Sequence, residues 1–377
     1  MGEDIKINRG LKGIYFERSG ISEINGSEGK LTYRGYSIDD LAKNANFEEV
    51  SYLIIYGELP NKEELKHFDE KLKYYRSLPN EIYDIIKLTK KGHPMDVLRT
   101  CVSSLPSLDK VIKNDSQDQL IENGIKLISQ IPIIIAAHQR QRNDMEIVPP
   151  NRKLSHSANW LFMLNKKIPT KEAEKLTDLD FILHAEHGSN ASSFAARVTI
   201  GTKAGIYDAF VTAISTLTGP AHGGAAEDVM KMINEIGEPE NVDKYIQIKR
   251  GKKEPITGFG HRVYKKEDPR AVHLKDGLYK LSIEMGEPKW FQILAKVVEQ
   301  MKPYSRHGLN VNVDFYSGAI YHLQKIPMDL FVPIFSIGRA PGWIAQCLEQ
   351  FNSNILIRPL TVYNGPKIRK YIKLSNR

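Results

Sequence analysis

The chain has 377 residues, 41% of them hydrophobic, 26% charged and 9% aromatic, a balance that excludes disordered, collagen-like and disulfide-stapled chains. That length accommodates two domains, or one large core with an inserted lobe. Fifty-three basic residues against 45 acidic ones leave a net charge of +8, which points to an anionic partner without choosing among nucleic acid, a membrane surface and a small anion.

The opening MGEDIKINRG has no apolar region of the kind a secretory signal needs, and Lys6 stands where N-myristoylation requires Ser or Thr. Within residues 10–36, GIYFERSG and KLTYRGYS predict short strands of a small hairpin separated by glycine turns. Beyond them the pattern is helical. Asn46 and Glu49 predict a capping box ahead of an apolar face of Phe47, Val50, Leu53 and Ile54, with Gly57 as the stop. Asn61 and Glu64 repeat the device. Apolar runs at 131–137 and 330–337 each contain a proline and fall short of the roughly 20 residues of a membrane-spanning helix. Pro288 opens a helix carrying Trp290, Leu294, Val297 and Met301, and Pro303 closes it. Cys101 and Cys347 lie far apart, outside any CxxC pair, so a zinc ribbon or disulfide framework is not indicated and a cytoplasmic location is expected. No long low-complexity linker or 20–50-residue repeat divides the chain, so a second domain would be an insertion.

Five segments carry chemistry. In LHAEHGSNASSFAARV, His184 and His187 stand three apart and share a helical face. They read either as a metal pair, which would need a further ligand that no HExxH or cysteine supplies, or as histidines hydrogen-bonded at a helix end. In TLTGPAHGGAAEDVM, Gly219 and Pro220 break the chain before His222. This predicts an imidazole at a helix N-terminus, kept neutral by the macrodipole and able to donate to a developing oxyanion; a plain capping loop is the alternative. In KRGKKEPITGFGHRVYKKEDPRA, Lys249, Arg250, Lys252, Lys253, Lys265 and Lys266 flank Gly258 and Gly260, whose backbone can approach a phosphate-bearing ligand closely. The pattern is neither GxxxxGK[ST] nor GxGxxG, and a solvated lysine face competes, although His261 is embedded in it. NVNVDFYSGAI sets Asp314 among apolar residues, which raises its basicity and suits proton abstraction; a structural Asp bonded to backbone is the alternative. SIGRAPGW and NILIRP supply Arg339 and Arg358, whose planar forks bind carboxylates but would singly read as surface ion pairs.

These segments in this order, from about residue 9 to the C-terminus, resemble the citrate synthase family in its short form, for which no extra N-terminal regulatory domain is expected. The resemblance implies an all-α homodimer with a large domain of residues 1–221 and 327–377 and a small, CoA-binding domain of 222–326 that closes over the substrates. It assigns catalysis to His222, His261 and Asp314, and oxaloacetate binding to His187, Arg270, Arg339 and Arg358, the last reaching across the dimer. CoA would lie along Pro255, Ile256, Thr257, Gly258 and Phe259, with Lys265 at a phosphate and Lys252 and Lys253 as further candidates. The implied reaction condenses acetyl-CoA with oxaloacetate and water to citrate and CoA, oxaloacetate binding first. No metal, tightly bound cofactor, nucleic acid or membrane is involved. Glu186, Gly188, Ala226, Pro341 and Gln346 depart from the common pattern, and Pro341 and Gln346 are expected to alter how their helix begins and packs. The alternatives are 2-methylcitrate synthesis from propionyl-CoA, one methylene being worth only about 1–3 kcal/mol in an apolar pocket, and a non-catalytic CoA-binding regulator. A nucleic-acid-binding protein is disfavoured by the lack of zinc-finger spacing, RNP-like aromatics or a long basic helix.

Overall fold

The computed structural model describes residues 6–11, 13–108 and 116–377; residues 1–5, part of the segment on which the absence of a leader was argued, lie outside them. β1 (Ser22–Asn25), β2 (Lys30–Tyr33) and β3 (Tyr36–Ser37) form one antiparallel sheet in that order, with Ser22 opposite Tyr33. The hairpin therefore starts later than GIYFERSG. Among the described residues no strand pairs with that stretch, and Tyr15 is 98% exposed.

Helices build the rest. They are α1 (Ile38–Asn44), α2 (Phe47–Tyr56), α3 (Lys62–Tyr74), α4 (Asn80–Leu88), α5 (Pro94–Leu108), α6 (Gln117–Arg142), α7 (His156–Asn165) and α8 (Lys171–His184). There follow α9 (Ala191–Gly201), α10 (Ile206–Leu217), α11 (Ala225–Ile236), α12 (Val242–Gly251), α13 (Pro269–Glu284), α14 (Lys289–Met301), α15 (Asp314–Leu323) and α16 (Phe331–Asn352). The all-α expectation holds.

Local sequence explains the boundaries. Asn61 and Glu64 form a complete capping box at α3, whereas Asn46 caps α2 by accepting from the Glu49 N–H without a reciprocal bond. Gly57 ends α2 in the left-handed region at φ 98°. Pro288 caps α14, and a short 3-10 turn, Lys302–His307, follows it.

The core forms around α6 and α16. Helix α6 packs on α16, α7, α4 and α5, and α16 packs also on α9, α2, α8 and α10. By length and composition α6 could cross a membrane, contrary to the reading of its apolar run alone, but 89% of its most apolar window is buried inside this fold. Such a helix is apolar on all sides because protein surrounds it. Pro341 does not set the start of its helix: α16 begins at Phe331 and carries Pro341 in its interior, at the loss of one backbone hydrogen bond. Helices α11 to α15 pack largely on one another, and α13 joins them to α1 and α8.

Candidate active site

Helix α8 ends at His184, and the turn beyond it carries Glu186 and His187 into the interior. Gly342 lets α16 lie against this turn: a Cβ there would stand 2.2 Å from Ala185 O and 2.5 Å from Glu186 Oε2. The approach seats Arg339, whose Nε donates to His184 O at 2.5 Å and whose guanidinium lies 4.8 Å from the Phe335 ring centroid. Arg339 is 1% exposed, and its Nη1 has no partner. A buried cation with an open donor edge fits an anionic ligand. Burial brings its pKa down to about 10 while Glu186 opposes the shift.

His222 sits in the turn before α11, which is capped by Gly224. Its Nε2 accepts from the Ser192 N–H at 3.2 Å and lies 2.9 Å from Ser192 Oγ. A backbone N–H can only donate, so Nε2 of the neutral ring is bare and Nδ1 carries the proton. Burial, then Arg339, pushes the pKa down to about 4.

His261 has the opposite tautomer. Its Nδ1 accepts from the N–H groups of Val263 at 3.0 Å and Tyr264 at 3.1 Å, so the proton resides on Nε2. Burial and Arg270 bring this ring also to about 4. The His187 ring lies edge-on to it at 5.2 Å between centroids, and His187 Nε2 is 3.1 Å from Tyr264 OH. Burial, Arg270 and His261 hold His187 well below the usual imidazole range.

Asp268 caps α13 and grips Arg270, receiving Nε at 3.0 Å and Nη2 at 2.7 Å. The same carboxylate accepts from the Val313 N–H at 3.3 Å, so the first turn of α13 is tied to the residue before Asp314. Asp314 opens α15; burial raises its pKa against the pull of His184 and Arg270. Arg270 acts on His187, His261 and Asp314, and Arg339 acts on His222 and His187. Six of the residues singled out from sequence thus share one electrostatic neighbourhood. Arg358 does not join them; it is exposed in the segment after α16.

The loop 252–260 runs from α12 past Pro255 and Ile256 to His261. Thr257 Oγ1 bonds Asp228 O at 3.4 Å, and Phe259 bridges to Val311. Gly258 serves the protein's own packing: at φ +81°, a Cβ would meet Phe315 Cδ2 at 2.5 Å. Lys265 is exposed, with its backbone N–H bonded to Gly26 O at 2.8 Å, whereas Lys249 is taken by Glu254 at 2.9 Å. Lys252 and Lys253 are exposed.

Sequence reasoning missed Ser192, Tyr264 and Asp268, which orient His222, His187 and Arg270. Of these only the Asp-Pro step before Arg270 carried a local signal, that of a helix cap. Two of the departures explain each other: Gln346 Nε2 donates to Glu186 Oε1 at 2.8 Å, and burial pushes the Glu186 carboxyl up to about 7. Among the described residues, no group of three His, Cys, Asp or Glu side chains is placed to hold a metal ion.

Residues 10–360 match the family described as citrate synthase, C-terminal domain. The chain belongs to the citrate synthase family. Citrate synthase 2 of Bacillus subtilis is 42% identical over 98% of this chain and 99% of its own. 2-Methylcitrate synthase 1 of Corynebacterium glutamicum is 37% identical over 99% of each chain. The solved ternary complex of carboxymethyl coenzyme A and oxaloacetate with the citrate synthase of Thermoplasma acidophilum has a TM-score of 0.93 at 29% identity, covering 99% of this chain and 100% of that one. The protein is accordingly an acyltransferase of the citrate synthase family, whose members condense acetyl-CoA with oxaloacetate.

Proposed function

We propose that this chain joins acetyl-CoA to oxaloacetate, with water, to give citrate and CoA. The observation that carries the reading is the pair of neutral imidazoles with opposite fixed tautomers, linked through Arg270 and Arg339 to a carboxyl of raised pKa. Asp314 removes a proton from the thioester methyl group while His222 Nδ1–H stabilises charge on the thioester oxygen. The enol carbon attacks the ketone carbon, and His261 Nε2–H donates to the ketone oxygen as it becomes an alkoxide. Water then cleaves the citryl thioester. Because two imidazole donors polarise the oxygens, this reading calls for no metal ion or tightly bound cofactor.

Oxaloacetate is a dianion, and Arg339, with its open Nη1, together with Arg270 and His187 forms a proportionate clamp. Arg358 completes it from a second copy in this reading. Support comes from the segment after α16, whose apolar side chains Ile355, Leu360 and Tyr371 are 65%, 88% and 82% exposed in one chain. CoA lies along Pro255 to Phe259, with Lys265 at a phosphate. Residues 222–326 carry His222, His261, Arg270 and Asp314 and close on the His187 and Arg339 side after oxaloacetate binds, excluding water until the carbon–carbon bond has formed.

A second reading, 2-methylcitrate synthesis from propionyl-CoA, is favoured by the 37% identity to a 2-methylcitrate synthase. The deciding measurement is CoA release with oxaloacetate present, comparing kcat/KM for the two donors. A higher value for acetyl-CoA is expected, a higher value for propionyl-CoA moves the assignment to 2-methylcitrate, and no release from either overturns both.

A further inference from the structure

Asp180 is 1% exposed in the last two turns of α8 and takes no part in the chemistry described above. Its carboxylate faces α15, across 137 and 141 residues of chain. Ser317 Oγ donates to Oδ1 at 3.1 Å, and Tyr321 OH donates to Oδ2 at 2.5 Å. Asp314, Ser317 and Tyr321 stand at i, i+3 and i+7, so these bonds grip the helix face that begins with the base. On the other side, His184 Nδ1 donates to Asp180 O at 2.8 Å and lies 3.4 Å from Oδ1, while its Nε2 is buried without a partner. His184 pulls the Asp314 pKa down, against the effect of burial.

We propose that Asp180 is a positioning residue for the condensation: a buried carboxylate that fixes the Asp314 helix through Ser317 and Tyr321 and sets a negative charge against the helix face that begins with the base. A carboxylate is an expensive group to bury. An apolar or amide side chain would pack α8 on α15 without introducing a negative charge beside a catalytic carboxyl. That charge opposes ionisation of Asp314 and makes it a stronger base. The other charged or titratable groups acting on Asp314 are Tyr321 on its own helix, His184 on α8, Asp268 and Arg270 at the start of α13, and Arg339 on α16. Helix α11 turns Ala226 and Met230 toward α15, and α14 meets it through Trp290 against His322, at the far end from Asp314.

The inference rests on Asp314 as the base, and the test separates the two ideas. The pH dependence of kcat/KM for acetyl-CoA is measured on the unmodified enzyme, Asp180→Asn and Tyr321→Phe. Asp180→Asn keeps a group able to bond Ser317 and Tyr321 but removes the charge; its acid limb moves to lower pH by about one unit, and its plateau kcat falls about tenfold as the base weakens. Tyr321→Phe strips a donor from Asp180, concentrates its charge and moves the acid limb the other way. Opposite displacements support the proposal. Acid limbs unmoved in active variants overturn it, because a merely structural carboxylate would change rate or stability alone. Where Asp180→Asn fails to fold, Tyr321→Phe decides by itself. An unmodified enzyme that releases no CoA overturns the base assignment as well.

Discussion

Three backbone N–H groups, those of Ser192, Val263 and Tyr264, determine which nitrogen of His222 and of His261 is bare. In the proposed reaction both rings would meet the substrates as neutral donors, which suits stabilisation of an oxyanion without prior protonation. Asp314→Asn removes the base and leaves these donors, so kcat falls about 10²–10⁴-fold while CoA binding, read by titration, persists. A variant that keeps its rate removes Asp314 from the mechanism. Lys265 is exposed beside the loop assigned to CoA. Lys265→Ala raises KM for acetyl-CoA severalfold and spares that for oxaloacetate, and the reverse split takes it out of the CoA site. His222, His261, Asp314 and Arg339 were legible because each sits in a local pattern of glycines, prolines or apolar neighbours. Ser192 and Asp180 were not, since a serine or aspartate inside a helical stretch acquires meaning only from side chains 30 or 137 residues away.

The N-termini of α2 and α7 and the first turns of α8 meet and cap one another. Asp178 on α8 accepts from the Phe47 N–H at the start of α2, Glu48 on α2 accepts from the His156 N–H at the start of α7, and Ser155 donates to Glu174 on α8. Carboxylates at helix N-termini are favourable, but burial opposes their charge. Burial and Glu48 push Asp178 from its ordinary 3.8 up to about 7. A carboxyl whose folded pKa is raised contributes stability that is complete below pH 3.8 and is lost as pH rises through 7. Asp178→Asn cannot lose a proton. Its stability relative to the parent is therefore more favourable at pH 8 than at pH 5, by about 1–3 kcal/mol in urea unfolding; an equal difference at both pH values would show that the carboxyl does not titrate in this range. The caps of α2 and α3 could be read from sequence because they are local, whereas the mutual capping of α2, α7 and α8 is a tertiary event. For the same reason GIYFERSG carried a strand pattern although no strand pairs with it among the described residues, and Pro341, expected to alter how its helix begins, lies inside α16, whose packing on α6 and α9 carries the helix through it.

At the scale of the whole molecule, one chain gathers every proposed oxaloacetate ligand except Arg358, which lies on an exposed segment with apolar side chains facing solvent. A two-fold assembly in which each copy lends this arginine to the other would complete the clamp and cover those side chains together. Subunit complementation distinguishes this from an arginine acting within its own chain. Asp314→Asn and Arg358→Leu each give an inactive homodimer. In a hybrid of the two, the site with an intact Asp314 receives its arginine from the other chain, which still has one, while the second site lacks both groups. Equal mixing after reversible dissociation places half the chains in hybrids with one working site of two, so about a quarter of the parent activity returns. Were Arg358 to serve its own chain, both sites of every hybrid would lack one group and mixing would restore nothing. With an affinity tag on one variant only, co-purification of the untagged chain from the mixed sample verifies that hybrids have formed, so that a failure to recover activity counts against the shared site and not against the exchange.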